Sequence, residues 1–207
     1  TILPGIGGVF VDIGIKKNGF LLTSEKINPL VLEDESAVME TDILLPHNKG
    51  QNQAKQASPL KVAQELVVQV IKEPYGLKGP RLTTNISLPG RYIVLMPYHV
   101  HFGISRRIDD SQERLRLKKI LETLNIPSGM GLIIRTAGSS KGKREFQRDL
   151  DYLLNLWKRI SRLSGSKCAP QLLHQEYDII LRTIRDTFTE DIDKFVVDSS
   201  EQFKRIM

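Results

Sequence analysis

The sequence has almost no cysteine and no long apolar run, and both shortages limit what kind of protein it can be. Cys168 is the single cysteine among 207 residues, so no internal disulfide and no CxxC zinc site can form. This composition favours a reducing compartment. No apolar stretch reaches the ~18 residues that a membrane-spanning helix needs, and no secretory signal opens the sequence. The 40% hydrophobic and 26% charged content argues against wholesale disorder.

The start of the sequence also lacks a methionine. Thr1-Ile2-Leu3 looks like the middle of a strand, so we expect a fragment of a longer protein. A length of 207 residues suits one large domain or two small ones.

Positive charge is concentrated in the middle of the chain. The formal net charge is +6, yet residues 61–150 hold 16 Lys and Arg against 8 Asp and Glu, a net of +8. Residues 1–60 are slightly acidic and residues 151–207 are balanced. A basic segment of this kind is typical of a protein that binds a polyanion such as nucleic acid. The alternative explanation of this charge is an ordinary exposed face on which surplus lysine residues only add solubility.

Two groups of elements follow from the patterns along the chain. Short strands at 9–13, 20–22 and 66–71, with a turn at Asn18-Gly19 and an exposed polar insertion at about 46–59, fit a small barrel such as the OB fold. The opening strand of that barrel would be missing. From about residue 80 the sequence predicts strands at 91–96, 131–136 and 194–198, helices at about 111–125, 144–163 and 175–188, and a helix start at 199–200. Asp110 with Glu113 predicts a capping box.

Phe10 is the most informative aromatic residue. Side chains alternate across a strand, so Phe10 shares one face with Asp12 while Val9, Val11 and Ile13 take the other. A ring on the polar face of a small barrel favours a stacking platform for a nucleic-acid base. The alternative is a rim aromatic covered by a loop.

Basic residues supply the second type of candidate contact. Lys72, Lys78 and Arg81 flank a turn and suit contacts with phosphates, although ordinary loop solubility also explains them. Arg135-Thr136 closes an apolar strand and opens a Gly-Ser loop, where a guanidinium beside a hydroxyl can hold a terminal phosphate. A surface arginine leaving the sheet is the alternative.

Several other patterns do not carry chemistry. His99 and His101 lack the further ligands of a metal site. The loop at 138–144 has the wrong glycine spacing for a Walker motif and no Ser or Thr after its lysine. Asp149 and Asp151 are two apart on a helix and point about 200° apart, so they cannot share one ion. The residues alone indicate a basic, RNA-suited domain without a complete active site.

A set of long motifs in fixed order resembles the amino-terminal half of the ribonuclease E/G family. The segments are Gly8–Gly14, Asn18–Phe20, Gln69–Glu73, Lys78–Pro97, Ile104–Ile108 and Gly129–Gly138. The resemblance covers nearly the whole chain apart from the 46–59 insertion. Met96–Tyr98 and Phe195–Ser200 look more like the cyanobacterial and plastid branch.

The resemblance implies a multidomain α+β fold. A partial OB-fold domain would span 1–84, a 5′-sensor domain 85–175, and part of an RNase-H-like domain 176–207. It implies base stacking by Phe10 and Phe20, a backbone contact by Lys78, and a 5′-phosphate pocket formed by Arg135, Thr136, Gly90, Val94 and Arg106.

The resemblance also implies an activity for the whole protein. Family members are magnesium-dependent endoribonucleases that cut single-stranded RNA, prefer a 5′-monophosphate end and act in mRNA decay and rRNA processing. A bacterial cytoplasm or a plastid stroma, a zinc link and a homo-oligomer are expected. The magnesium-binding aspartates and the CPxC zinc motif are missing from these 207 residues, so we expect the chain alone to be inactive. A noncatalytic RNA-binding regulator or scaffold is the alternative.

Overall fold

The structure is a computed structural model that describes residues 2–3, 7–22, 41–43, 60–166, 168–188 and 192–207. Across these residues the strands are β1 Ile2–Leu3, β2 Gly8–Val11, β3 Gly19–Leu22, β4 Thr41–Ile43, β5 Gln69–Lys72, β6 Arg81–Thr83, β7 Leu88–Pro89, β8 Ile93–Met96, β9 Phe102–Ser105 and β10 Gly131–Ile134. The helices are α1 Ser111–Glu122, α2 Lys143–Ser166, α3 Ile179–Thr187 and α4 Ser200–Ile206. The predicted 46–59 insertion lies outside the described residues.

The first sheet has the strand order β1-β2-β3-β6-β5. Strands β3 and β6 are parallel and the other pairs are antiparallel, so the sheet is mixed. Its buried face is built on Val9, Leu21 and Leu82, which are 4%, 0% and 2% exposed. These three residues lie in one row across β2, β3 and β6, so the residues next to them in each strand face the other way.

The second sheet has the order β4-β9-β10-β8-β7 and is also mixed, with β9 and β10 parallel. Helices α1 and α2 bury their apolar stripes in the core of this sheet. The stripe of α2 recurs every three or four residues, which is the spacing of one helix face, and its buried members are Phe146, Leu150, Leu153, Trp157 and Ile160. The helices predicted at about 111–125 and 144–163 are confirmed.

The two sheets belong to one compact unit that ends at Leu173. Gln69 of β5 joins them, because its amide accepts from the Ser87 N–H at 2.8 Å and donates to the Ser87 carbonyl at 3.0 Å. A second unit, His174–Met207, contains α3 and α4.

Several predicted boundaries are wrong. Residues 194–198 form no strand in the structure, and α3 begins at Ile179 rather than near 175, because Asp178 caps its first turn. The strand predicted at 66–71 is displaced to Gln69–Lys72. The predicted helix start is confirmed at Ser199, whose hydroxyl accepts from the Gln202 N–H.

The cap of α1 also differs from the prediction. Asp110 caps the helix, but its carboxylate accepts from the N–H of Gln112 at 2.9 Å rather than from that of Glu113. Glu113 turns away to Arg116 and Ser140 instead of completing a capping box. The loop after β10 is thereby tied to α1.

The predicted α+β class is confirmed by two mixed sheets and four helices in the described part of the chain. The OB-fold and RNase-H-like assignments and the domain boundaries at 84 and 175 stay predictions. Among the described residues, no helix is long and apolar enough to cross a membrane.

Candidate nucleic-acid interface

Two phenylalanine rings form a pair on the first sheet. Phe10 on β2 lies directly opposite Phe20 on β3, and their ring centroids are 5.5 Å apart with planes tilted by 58°. Phe10 is 37% exposed and Phe20 is partly buried. A Cβ at Gly8 would lie 2.4 Å from the Phe20 ring, so a glycine there lets the ring lie against the strand. The pair offers an aromatic surface large enough for a base to stack on.

Basic residues continue the same row of the sheet. Arg81 on β6 lies opposite Phe20, and Lys72 on β5 lies opposite Arg81. Residues that face each other in regular register project from the same side, as Phe10, Phe20 and Arg81 do. The Lys72–Arg81 pair follows a register shift of β5 between Val70 and Lys72. Lys72 is exposed and Arg81 partly exposed, so the row runs from aromatic to cationic across four strands.

Lys78 lies apart from this row, in the turn between β5 and β6. Its backbone pairs with that of Tyr75 through hydrogen bonds of 2.9 and 3.2 Å. The turn presents Tyr75 and Leu77, which are 86% and 98% exposed and which the sequence patterns did not single out. An apolar residue in a tight turn between lysines is the sequence signal from which Tyr75 and Leu77 could have been predicted.

Asp12 lies beyond the end of β2 and therefore does not extend the predicted polar face of that strand. Strand β2 ends at Val11, and the Asp12 carboxylate accepts from the N–H of Gly14 at 2.9 Å in a turn where Gly14 has φ +78°. The carboxylate therefore stabilises the turn after the strand.

The second group of candidate residues meets at one end of the second sheet. Parallel pairing of β9 and β10 brings Arg106 and Thr136 to the same edge, two residues beyond the pair Ile104 and Ile134. Antiparallel pairing of β10 and β8 brings the turn at 90–92 to that edge as well, because Ile134 lies opposite Ile93.

Arg135 is held against this turn by several bonds. Its backbone N–H donates to the Tyr92 carbonyl at 2.8 Å, and its Nη1 donates to the Gly90 carbonyl and, at 3.4 Å, to the Arg91 carbonyl. Its side chain is only partly exposed. These contacts fix the direction of the guanidinium before any ligand arrives.

Thr136 and the residues around it complete the edge. The Thr136 hydroxyl lies 3.0 Å from the Ser105 hydroxyl at the end of β9, and Thr136 itself is exposed. Arg106 is exposed in the turn that follows Ser105. Val94 is 8% exposed on β8 and is a core residue of the sheet. Four of the five candidate residues therefore lie at one edge of the second sheet, namely Gly90, Arg106, Arg135 and Thr136. Val94 lies within the sheet.

The loop after Thr136 is fixed by an ion pair on α1. Glu113 accepts from Arg116 through two bonds of 2.7 Å, and its Oε1 also accepts from the Ser140 N–H at 2.7 Å. Arg116 donates to the Lys141 carbonyl at 2.8 Å. The hydrogen bond from Arg116 lowers the pKa of Glu113 to about 2. The carboxylate thus stays ionised and ties α1 to the loop.

Asp149 of α2 binds the turn at this edge, and the sequence patterns did not predict these partners. Its carboxylate accepts from three successive backbone N–H groups of the turn, those of Arg91, Tyr92 and Ile93, at 3.2, 2.7 and 3.1 Å. A signal was present, because Asp149 lies three residues after Phe146 and four before Leu153, within the apolar stripe of α2. A carboxylate in such a stripe faces the core and needs partners there.

The described residues supply no metal site. They contain no group of three or more His, Cys, Asp or Glu side chains that could hold an ion. Asp149 binds backbone amides and Asp151 accepts from Gln147 at 2.9 Å, so these two carboxylates serve different partners. The rings of His99 and His101 lie 5.8 Å apart, and burial lowers the pKa of His101, with a further lowering from His99. Magnesium and zinc therefore do not fit the described residues.

The chain is similar to several ribonucleases over most or all of its length. The family model of the Ribonuclease E/G family matches residues 87–207. Ribonuclease E of Nostoc sp. is 41% identical over the whole chain, and Ribonuclease E of Escherichia coli is 39% identical over 96% of it. Ribonuclease G of Haemophilus influenzae is 34% identical over 99% of the chain.

The chain belongs to the Ribonuclease E/G family. It spans only part of the relatives' length, namely 27%, 17% and 40% of these three proteins. Ribonuclease E of Haemophilus influenzae is 40% identical, so the expected cyanobacterial and plastid branch stays a prediction.

Proposed function

We propose that this chain is the RNA-binding and 5′-monophosphate-sensing half of an endoribonuclease that cuts single-stranded RNA in mRNA decay and rRNA processing. The first sheet clamps the strand and the edge of the second sheet reads its 5′ end. The family membership supports RNA as the substrate class, since the relatives are named as ribonucleases.

The single observation that carries the proposal is the row Phe10, Phe20, Arg81 and Lys72 across the first sheet. Unpaired bases can stack on an aromatic face, whereas paired bases inside a duplex cannot reach one. The cationic end of the row lies where the phosphates of the same strand would run. This arrangement favours single-stranded over duplex RNA.

The 5′ end would be read at Arg135 and Thr136. A guanidinium offers a planar fork of donors that matches phosphate oxygens, and a neighbouring hydroxyl adds another donor. Arg106 adds positive charge at the same edge. A terminal monophosphate carries more negative charge than an internal phosphodiester and is bound more strongly there, and a 5′-hydroxyl end lacks this partner.

Binding of short RNAs tests both parts. Fluorescence anisotropy would compare one AU-rich single strand with a 5′-monophosphate, the same strand with a 5′-hydroxyl, and its duplex, all at one salt concentration. We expect the phosphorylated single strand to bind most tightly. Arg135→Ala should remove the difference between the two 5′ ends, because it removes the guanidinium.

Arg159→Ala is the matched control, since it removes the same charge from an exposed position on α2. It should keep the 5′-end preference. Equal binding of the two 5′ ends by the unaltered chain would refute the sensor assignment. Equal binding of single strand and duplex would refute the stacking assignment.

We assign the RNA-cleaving chemistry of the whole enzyme to residues that these 207 do not include. Magnesium, held by those residues, is the cofactor proposed for the full protein, where it would supply the chemistry of phosphodiester hydrolysis. The chain alone is expected to bind RNA without cutting it. A zinc link, a homo-oligomer and a bacterial cytoplasm or plastid stroma complete the proposal for the full protein.

A further inference from the structure

The turn between β7 and β8 is held by charged side chains from two other elements. The N–H of Gly90 donates to the Ile93 carbonyl at 2.8 Å, which leaves Arg91 and Tyr92 as a two-residue hairpin loop. In such a loop the Ile93 N–H ordinarily donates to the Gly90 carbonyl. Here the Ile93 N–H donates to Asp149 Oδ2 at 3.1 Å, and the Gly90 carbonyl accepts from Arg135 Nη1.

Asp149 and Arg135 therefore bind the same turn, Asp149 through its amides and Arg135 through its carbonyls. The carboxylate takes the N–H groups of Arg91, Tyr92 and Ile93, and Arg135 binds the carbonyls of Gly90, Arg91 and Tyr92. Hydrogen bonds to an ionised carboxylate are stronger than those between neutral groups. The direction of the turn carbonyls, and with it that of the guanidinium, is set by where the carboxylate holds the amides.

The close approach of Asp149 also explains the glycine in the turn. A Cβ at Gly90 would lie 2.5 Å from both Asp149 carboxylate oxygens. This separation is far shorter than a carbon–oxygen contact tolerates, so any side chain there would push the turn away from α2. Gly90 and Asp149 act together to seat the turn.

We propose that Asp149 is a positioning residue for the 5′-phosphate site: it aligns Arg135 through the 90–93 turn without touching the RNA. The proposal rests on the proposed 5′-sensing function of Arg135. Asp149 acts on the discrimination between 5′ ends, whereas binding of the rest of the strand depends on the first sheet.

Asp149→Asn is the sharpest test because it keeps the shape of the side chain. The carboxylate uses both oxygens as acceptors, Oδ1 for Arg91 and Oδ2 for Tyr92 and Ile93. An amide places an NH₂ donor against at least one of these donors. Asp151→Asn is the matched control, since it makes the same charge change two residues along α2, at an exposed carboxylate that accepts from Gln147.

The first measurement is RNA binding by the full chain. We expect Asp149→Asn to lose at least fivefold of the preference for a 5′-monophosphate over a 5′-hydroxyl, with the affinity for the 5′-hydroxyl strand unchanged. Asp151→Asn should keep the preference. An Asp149→Asn protein that keeps the full preference overturns the proposal. Gly90→Ala replaces the variant if Asp149→Asn does not fold, because it separates turn and carboxylate without changing any charge.

The second measurement does not depend on RNA. The side-chain Nε–Hε signal of Arg135, assigned by its loss in Arg135→Ala, would be followed by NMR in the unliganded protein. It should shift in Asp149→Asn and stay in place in Asp151→Asn, and an unshifted signal in Asp149→Asn overturns the proposal. Equal binding of both 5′ ends by the unaltered chain would refute the sensing function alone. The NMR signal would still decide whether Asp149 positions Arg135.

Discussion

Replacement of Phe10 by alanine tests the proposed RNA-stacking surface of the first sheet separately from the core of that sheet. Phe10 is 37% exposed, and its ring centroid lies 5.5 Å from that of Phe20. Loss of one aromatic pair costs about 0.5–1.5 kcal/mol of folding stability. Loss of a stacked base costs about 1–3 kcal/mol of binding free energy. We therefore expect Phe10→Ala to weaken RNA binding by about 5- to 150-fold while the chain stays folded.

The neighbouring Val9 provides the control, because adjacent residues of a strand face opposite sides of the sheet. Val9 is 4% exposed in the core of the first sheet. Val9→Ala should lower the free energy of unfolding by about 1–3 kcal/mol and leave the Kd for RNA unchanged.

The assay is anisotropy of a labelled single-stranded RNA at fixed salt, with urea unfolding of both variants in parallel. A Phe10→Ala protein with unchanged RNA affinity would refute the stacking platform and restore the rim-aromatic interpretation. A Val9→Ala protein that binds as weakly as Phe10→Ala would show that lost sheet stability, and not the ring, lowers the affinity.

Three further outcomes are expected. Lys72→Gln should weaken binding to all single strands alike and reduce the slope of log K against log salt by about 0.7, as one lost phosphate contact does; an unchanged slope would remove Lys72 from the RNA path. Because the pKa of Glu113 is lowered to about 2, its contribution to stability is complete above the unfolded pKa and is lost as the pH falls from about 4.5 to about 2. Acid unfolding of Glu113→Gln should thus be less steep in that window, and an identical acid profile would contradict the role of the ion pair with Arg116. Phe146→Ala should cost about 3–5 kcal/mol of unfolding free energy, because the ring is 0% exposed in the core of the second sheet, and a loss under about 1 kcal/mol would contradict that packing.

Elements whose residues repeat at helical spacing were predictable from the sequence. The helices predicted at about 111–125 and 144–163 are confirmed, because a long amphipathic pattern leaves one way to bury its apolar face. The predicted strand at 194–198 is wrong, since five residues of mixed apolar character do not distinguish a strand from an extended segment. Glu113 had the spacing of a capping box, but a partner remote in sequence, Ser140, competed for its carboxylate.

The sequence by itself showed which residue types are available for a binding surface. It showed the basic middle of the chain, an aromatic residue that alternates with valines along a strand, and the Arg135-Thr136 pair after an apolar strand. These features depend on residue type and on neighbours a few positions away. They were sufficient to indicate an RNA-binding chain.

Only the tertiary structure decided which of these residues act together. Strand register placed Phe10, Phe20, Arg81 and Lys72 in one row, although up to 71 positions of sequence separate them. Packing of α2 against the 90–93 turn brought Asp149 to amides 56 to 58 residues away, in the same turn whose carbonyls bind Arg135. Local patterns carry no information on such distances, because register and helix packing are fixed by burial across the whole core.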